Sequence, residues 1–123
     1  MKLKDQVVCR ELSQKIDELG IKEESLYGWY KHSFIGLKSW WALVPNRDNS
    51  LKNISAYTVA ELGEMLPNTI KIESRVYMLK MDKFANEFFI TYFSDGKAKS
   101  FQSYTEANAR AKMLIWLKEN KLL

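Results

Sequence analysis

The chain has 123 residues, of which 46% are hydrophobic and 28% charged, with a formal net charge of +4. At about 100 to 200 residues per domain this is enough chain for one core, and the composition excludes disordered, collagen-like and disulfide-scaffold classes. Cys9 and His32 are the only cysteine and the only histidine, so neither an intramolecular disulfide nor a usual zinc site is expected, and no cofactor.

From Asp5 to Leu19, the positions Val8 or Cys9, Leu12, Ile16 and Leu19 recur at spacings of three and four, which lines them along one stripe of a helix. Gly20 supplies the left-handed residue that ends it, and Ile21 beyond packs back on the last turn. The next stretch holds Tyr27, Trp29, Tyr30, Phe34, Trp40 and Trp41, a density of rings that suits strands. The spacing predicts a hairpin with strands over 26–31 and 38–44, and with His32, Ser33 and Gly36 near the turn. Pro45, Asn46, Asp48, Asn49 and Ser50 form a polar connection.

Thr58 followed three residues later by Glu61 is a capping box that opens a short helix. Val59, Leu62 and Leu66 share its face, Gly63 weakens its middle and Pro67 stops it. One strand is predicted over 70–81, with Ile70, Ile72, Val76 and Met78 inward and Lys71, Glu73, Arg75 and Tyr77 outward. Another covers 87–93, and Asp95-Gly96 turns the chain into a third over 98–101. Ser103 and Glu106 repeat the capping-box spacing ahead of a terminal helix over 105–121. On that helix Ala107, Ala111, Leu114 and Ile115 make one apolar sector, and Ala109, Met113, Trp116 and Leu117 a second. The expected fold is a single α+β domain over residues 1–123, an antiparallel sheet of about five strands with about three helices. The expected order is helix, strand, strand, helix, strand, strand, strand, helix.

Catalytic motifs do not emerge from this pattern, and no enzyme is expected. The five glycines are isolated from one another, so there is no P-loop, dinucleotide fingerprint or nucleophile elbow. Capping accounts for Glu61 and Glu106, the pair Glu23-Glu24 for a polar connection, Cys9 for a small packing residue and His32 for a turn residue. The longest apolar runs, Trp40 to Val44 and Met113 to Leu117, are five residues each. A membrane span needs roughly 20. The opening residues also lack the apolar core of a signal peptide, so a reducing cytoplasm without membrane contact is the expectation.

The rings point to binding. Neighbouring strand residues face opposite ways, so Trp40 and Trp41 cannot share one core layer unless a second element covers the other face. Exposed tryptophan makes a strong interface anchor, and the candidate interaction surface is Trp29, Tyr30, Trp40 and Trp41, with Trp116 on the last helix. Three roles are open to Trp116: packing beneath the first helix, contact with another protein, or a homodimer contact. The alternative function is a single-stranded nucleic-acid-binding module, whose rings stack on bases while Lys71, Arg75, Lys80, Lys97 and Lys99 track phosphates. Four acids are interleaved with six bases between Lys71 and Lys99, which leaves a local excess of two.

Three stretches, VVCRELSQKIDELGIKEESLYGWY (7–30), ISAYTVAELGEMLP (54–67) and TEANARAKMLIWLKENKLL (105–123), resemble small uncharacterised proteins encoded by tailed bacteriophages and prophages. The resemblance extends over nearly the whole chain in order and spacing, and it carries no activity and no site residues. What it implies is a protein of the bacterial host cytoplasm that binds a host or phage macromolecule. Inhibition of a host defence of the restriction or CRISPR kind is one such role.

Overall fold

The computed structural model describes residues 2–33, 36, 38–45 and 53–123. Among them are seven strands in two antiparallel sheets, and four helices. The smaller sheet joins β1 (Tyr27–His32), β2 (Trp40–Pro45) and β3 (Ile54–Ser55) in the order β2-β1-β3. The larger is a meander of β4 (Thr69–Ile72), β5 (Arg75–Phe84), β6 (Glu87–Ser94) and β7 (Lys97–Ser103), in that order. The helices are α1 (Leu3–Gln6), α2 (Arg10–Glu18), α3 (Val59–Met65) and α4 (Glu106–Glu119). The α+β class and the antiparallel pairing hold, and the counts are close to the expected five or so strands and three or so helices, but the strands divide into two sheets instead of one. Beyond Pro45, the polar connection expected over 45–50 lies outside the described residues. Among the described residues no helix is long and apolar enough to cross a membrane.

The first helix is broken where one continuous helix over 5–19 was expected. Val7 and Val8 are both fully buried, and Val7 is extended at φ −124° and ψ 159°. Adjacent residues on a helix diverge by about 100°, which would carry one of the two out of the core. An extended segment buries both: Val7 bridges to Thr58, and the Val8 N–H donates to the Tyr57 carbonyl at 2.9 Å. Helix α2 then starts after Cys9, whose own N–H donates to Asn108 Oδ1 at 2.9 Å. Its end is as expected. Gly20 at φ +85° donates to the Asp17 carbonyl and Ile21 to that of Ile16, the paired bonds of a left-handed helix cap.

The meander departs from the one long strand expected over 70–81. A two-residue turn at Glu73 (φ +50°) and Ser74 (φ +70°) divides it and makes Ile72 and Arg75 direct partners. Partners three apart in sequence share a face, so the turn reverses the parity of everything after it. Ile70 and Tyr77 enter the core, while Val76 and Met78 come to the opposite, open face. Non-glycine residues at positive φ carry no sequence signal for such a turn. The Asp95-Gly96 turn, with Gly96 at φ +73°, is as expected. The β5–β6 turn holds Ala85 at φ +55°. Left-handed backbone costs an L-residue roughly 1–2 kcal/mol, partly offset by the extra unfolded-state entropy of glycine. Ala85→Gly is therefore expected to stabilise the protein by about 0.5–1 kcal/mol in urea unfolding. An unchanged or lowered midpoint would contradict a left-handed Ala85.

Helix α3 has the expected capping box: the Glu61 N–H donates to Thr58 Oγ1 at 3.2 Å and the Thr58 N–H to Glu61 Oε1 at 2.8 Å. Its glycine has a packing reason, since a Cβ at Gly63 would stand 2.5 Å from Arg110 Nη1. Helix α4 runs through the middle of the molecule, packing on β6 and β7 and touching α2 and α3. Both of its apolar sectors are consequently covered, and Ala107, Ala109, Ala111, Met113, Leu114, Ile115 and Leu117 are all buried. Thr105, and not Ser103, caps it, accepting from the Asn108 N–H at 3.2 Å. Ser103 is held extended in β7 opposite Phe88, and Glu106 instead pairs with Arg110 at 3.1 Å.

Candidate functional site

The β1–β2 register decides which rings of the hairpin face which way. Trp29 lies opposite Leu43 and Lys31 opposite Trp41 on one face, and Tyr30 opposite Ala42 and His32 opposite Trp40 on the other. The first face is turned to the body of the protein. Trp29 Nε1 donates to the Val8 carbonyl at 3.0 Å, and Trp41 is covered by the Arg10 guanidinium at 5.3 Å and the Lys31 ammonium at 5.9 Å from its centroid. Both rings are half-buried.

On the second face three rings touch in succession. His32 meets Tyr30 edge-on at 4.7 Å and lies parallel to Trp40 at 4.9 Å, with 9° between the planes. Trp40 remains 46% exposed. Of the five candidate rings, the structure thus brings together Tyr30 and Trp40, adds His32 between them, and sets Trp29 and Trp41 on the reverse face. Trp116 is elsewhere, packed on the core beneath Lys99, whose Nζ stands 5.4 Å from its centroid. His32 was legible only through the hairpin register, which seats it across from Trp40.

The five candidate phosphate contacts are divided between the two faces of the meander. Lys71, opposite Val76, and Lys80, opposite Thr91, lie on the open face, and Lys80 Nζ is 3.4 Å from Asp82. Arg75, Lys97 and Lys99 lie on the face that carries α4. Arg75 donates to the Asp95 carbonyl at 2.9 Å, and Lys99 covers Phe101 as well as Trp116. These positions do not line up as one track along a strand.

A second surface follows from the parity reversal in β5 and had no counterpart in the sequence pattern. On the open face of the meander, Met78 stands beside Phe93, Lys80 beside Thr91, Asp82 beside Phe89, and Phe84 beside Glu87. Val76, Met78, Phe84 and Phe93 are 54%, 56%, 76% and 39% exposed. The polar middle of this face is organised, with Thr91 Oγ1 and Ser100 Oγ 2.8 Å apart.

Burial pushes the Cys9 thiol above its ordinary range, the reverse of an activated nucleophile, and the contacts of His32 are with Tyr30 and Trp40. Glu61 borders an open groove of about 630 Å³ together with Glu23, Glu24 and Glu64. Its carboxylate faces three donors: Thr58 N at 2.8 Å, Ser25 Oγ at 2.8 Å and Leu26 N at 3.0 Å. Capping and the fastening of residues 25 and 26 account for it. No protein-family model matches the chain, and neither a curated protein nor a solved structure matches it.

Proposed function

We propose that the protein is a non-catalytic binding module that engages a host or phage protein through the outer face of the β1–β2 hairpin. Trp40 is the anchor of that contact, and Tyr30 and His32 support it. The observation that carries this reading is the ring stack itself, His32 in contact with Tyr30 on one side and Trp40 on the other on one sheet face, with Trp40 46% exposed. Rings that already brace one another lose little side-chain freedom when a partner covers them, and tryptophan leads the residue types that dominate interface energy. The resemblance of residues 7–30, 54–67 and 105–123 to phage and prophage proteins supports a partner in the bacterial cytoplasm. Inhibition of a host defence system is the biological use most in keeping with it.

The test is affinity capture from nuclease-treated bacterial lysate with the wild-type protein, Trp40→Ala and Trp41→Ala. A protein retained by the wild type is expected to be reduced at least tenfold on Trp40→Ala, with the melting temperature unchanged. Trp41→Ala removes the ring under Arg10 and Lys31 and is expected to lower the melting temperature instead. Equal retention by wild type and Trp40→Ala would overturn the assignment, and material bound only without nuclease would replace the protein partner by nucleic acid.

A further inference from the structure

We infer that the open face of the β4–β7 meander is a self-association surface, covered in solution by the same face of a second copy of this chain. The inference is independent of the hairpin reading, since it uses the other sheet.

Along β5 the open face presents Val76, Met78, Lys80, Asp82 and Phe84 in alternate positions, so a basic and an acidic residue sit two apart between apolar groups. A twofold axis lying in the interface and crossing the strands midway between Lys80 and Asp82 lays β5 antiparallel on its own copy. That operation sets Lys80 against the partner's Asp82, and Asp82 against the partner's Lys80. It also sets Met78 against the partner's Phe84, and Phe84 against the partner's Met78. Every charge in the centre of the face meets its opposite, and the two most exposed apolar groups of the central strand, Phe84 at 76% and Met78 at 56%, meet each other. Self-complementarity of this kind is what a twofold interface requires.

The dimensions agree. From Val76 to Phe84 the strand extends about 27 Å, and four strands cover about 19 Å, giving roughly 500 Å² in projection before side-chain relief is counted. Relief brings this towards the roughly 800 Å² per partner of a standard interface. Facing sheets pack about 10 Å apart with strands within about 30° of parallel or antiparallel, which leaves room for interdigitated side chains such as Met78 and Phe84. Other occupants fit less well. A nucleic acid would bring phosphate against Asp82 as often as against Lys80, and an acidic protein would meet the same carboxylate.

Sedimentation velocity over a range of protein concentrations tests this directly. The wild type is expected to pass from monomer to dimer. Lys80→Asp alone, or Asp82→Lys alone, sets like charges against each other across the axis and is expected to weaken the dimer at least tenfold. The double exchange Lys80→Asp with Asp82→Lys restores opposite charges and is expected to restore the dimer. All of these side chains are exposed, and unchanged circular dichroism and melting temperature confirm folding. Phe84→Lys, at the most exposed apolar position of the strand, serves as a second disrupting variant. Trp40→Ala is expected to leave the dimer intact, which keeps failure of the hairpin reading distinct from failure of this one. A wild type that is monomeric throughout, or a dimer that the single exchanges and Phe84→Lys leave unchanged, would overturn the inference. So would salt-sensitive oligonucleotide binding that Lys80→Asp abolishes and the double exchange does not recover, which would assign the face to nucleic acid.

Discussion

Replacement of Glu61 by alanine is expected to destabilise the protein by about 3 kcal/mol, far more than the loss of an ordinary helix-capping residue. A capping box alone accounts for about 1 kcal/mol of this. The remainder comes from residues 25 and 26, where Ser25 Oγ lies 2.8 Å and the Leu26 N–H donor 3.0 Å from the same carboxylate. Ser25 is buried, and its hydroxyl also lies 3.1 Å from the Ala56 carbonyl while accepting from the Tyr27 N–H at 3.3 Å. Glu61 therefore ties the first turn of α3 to the residues that lead into β1. Because two of its three partners are backbone N–H groups that can only donate, an acceptor-only side chain is required. Glu61→Gln puts an NH₂ group against one of these donors and is expected to recover only part of the loss. Urea unfolding of the three proteins decides the matter. Alanine within about 0.5 kcal/mol of wild type, the range of an ordinary surface substitution, would show that these bonds contribute nothing net.

What could be read from the sequence was local. Gly20, the Thr58–Glu61 pair and the Asp95-Gly96 turn each encode their geometry within a few residues, and each appears where expected. The failures were non-local or chemically silent. Val7 is pulled out of a helix by Thr58, fifty-one positions on, and Ser103 is kept from capping α4 by its place opposite Phe88. The Glu73-Ser74 turn uses two residue types that ordinarily avoid positive φ, so alternation seemed to continue through it. That one turn reversed the burial of Val76, Met78 and Tyr77, and with it concealed the open face of the meander.

The hairpin shows the same division. Opposite facing of Trp40 and Trp41 follows from strand geometry alone, but which of them turns outward depends on α2, whose first residue, Arg10, stands over Trp41. An arginine seventeen positions upstream of the first hairpin residue thus selects the ring that meets solvent. The bases follow suit, since Lys71 and Lys99 end on opposite faces of one sheet. Charge counts along the chain carry no record of that separation.

Stability is also expected to fall steeply in alkali, and Tyr92 is the residue responsible for much of it. Its ring is fully buried in the core, its hydroxyl donates to the Pro67 carbonyl at 2.6 Å, and burial pushes its pKa up to about 12. In the unfolded chain a tyrosine loses its proton near pH 10. Between about pH 10 and pH 12 the unfolded state therefore releases a proton that the folded state still holds, and unfolding becomes easier as pH rises. The stabilisation is fully present below pH 10, and up to about 3 kcal/mol of it disappears by pH 12. Tyr57, whose pKa is also raised by burial, adds to the effect in the same direction. Tyr92→Phe has no proton to lose at this site. It is expected to cost about 1 kcal/mol at pH 7, where the bond to Pro67 is missing, and to unfold with a visibly shallower dependence on pH above 10. Urea midpoints at pH 7, 9, 10 and 11 for the two proteins separate these terms. Parallel curves for wild type and Tyr92→Phe would assign the alkaline loss to other groups, whereas convergence towards high pH is the signature of a phenol that the fold keeps neutral.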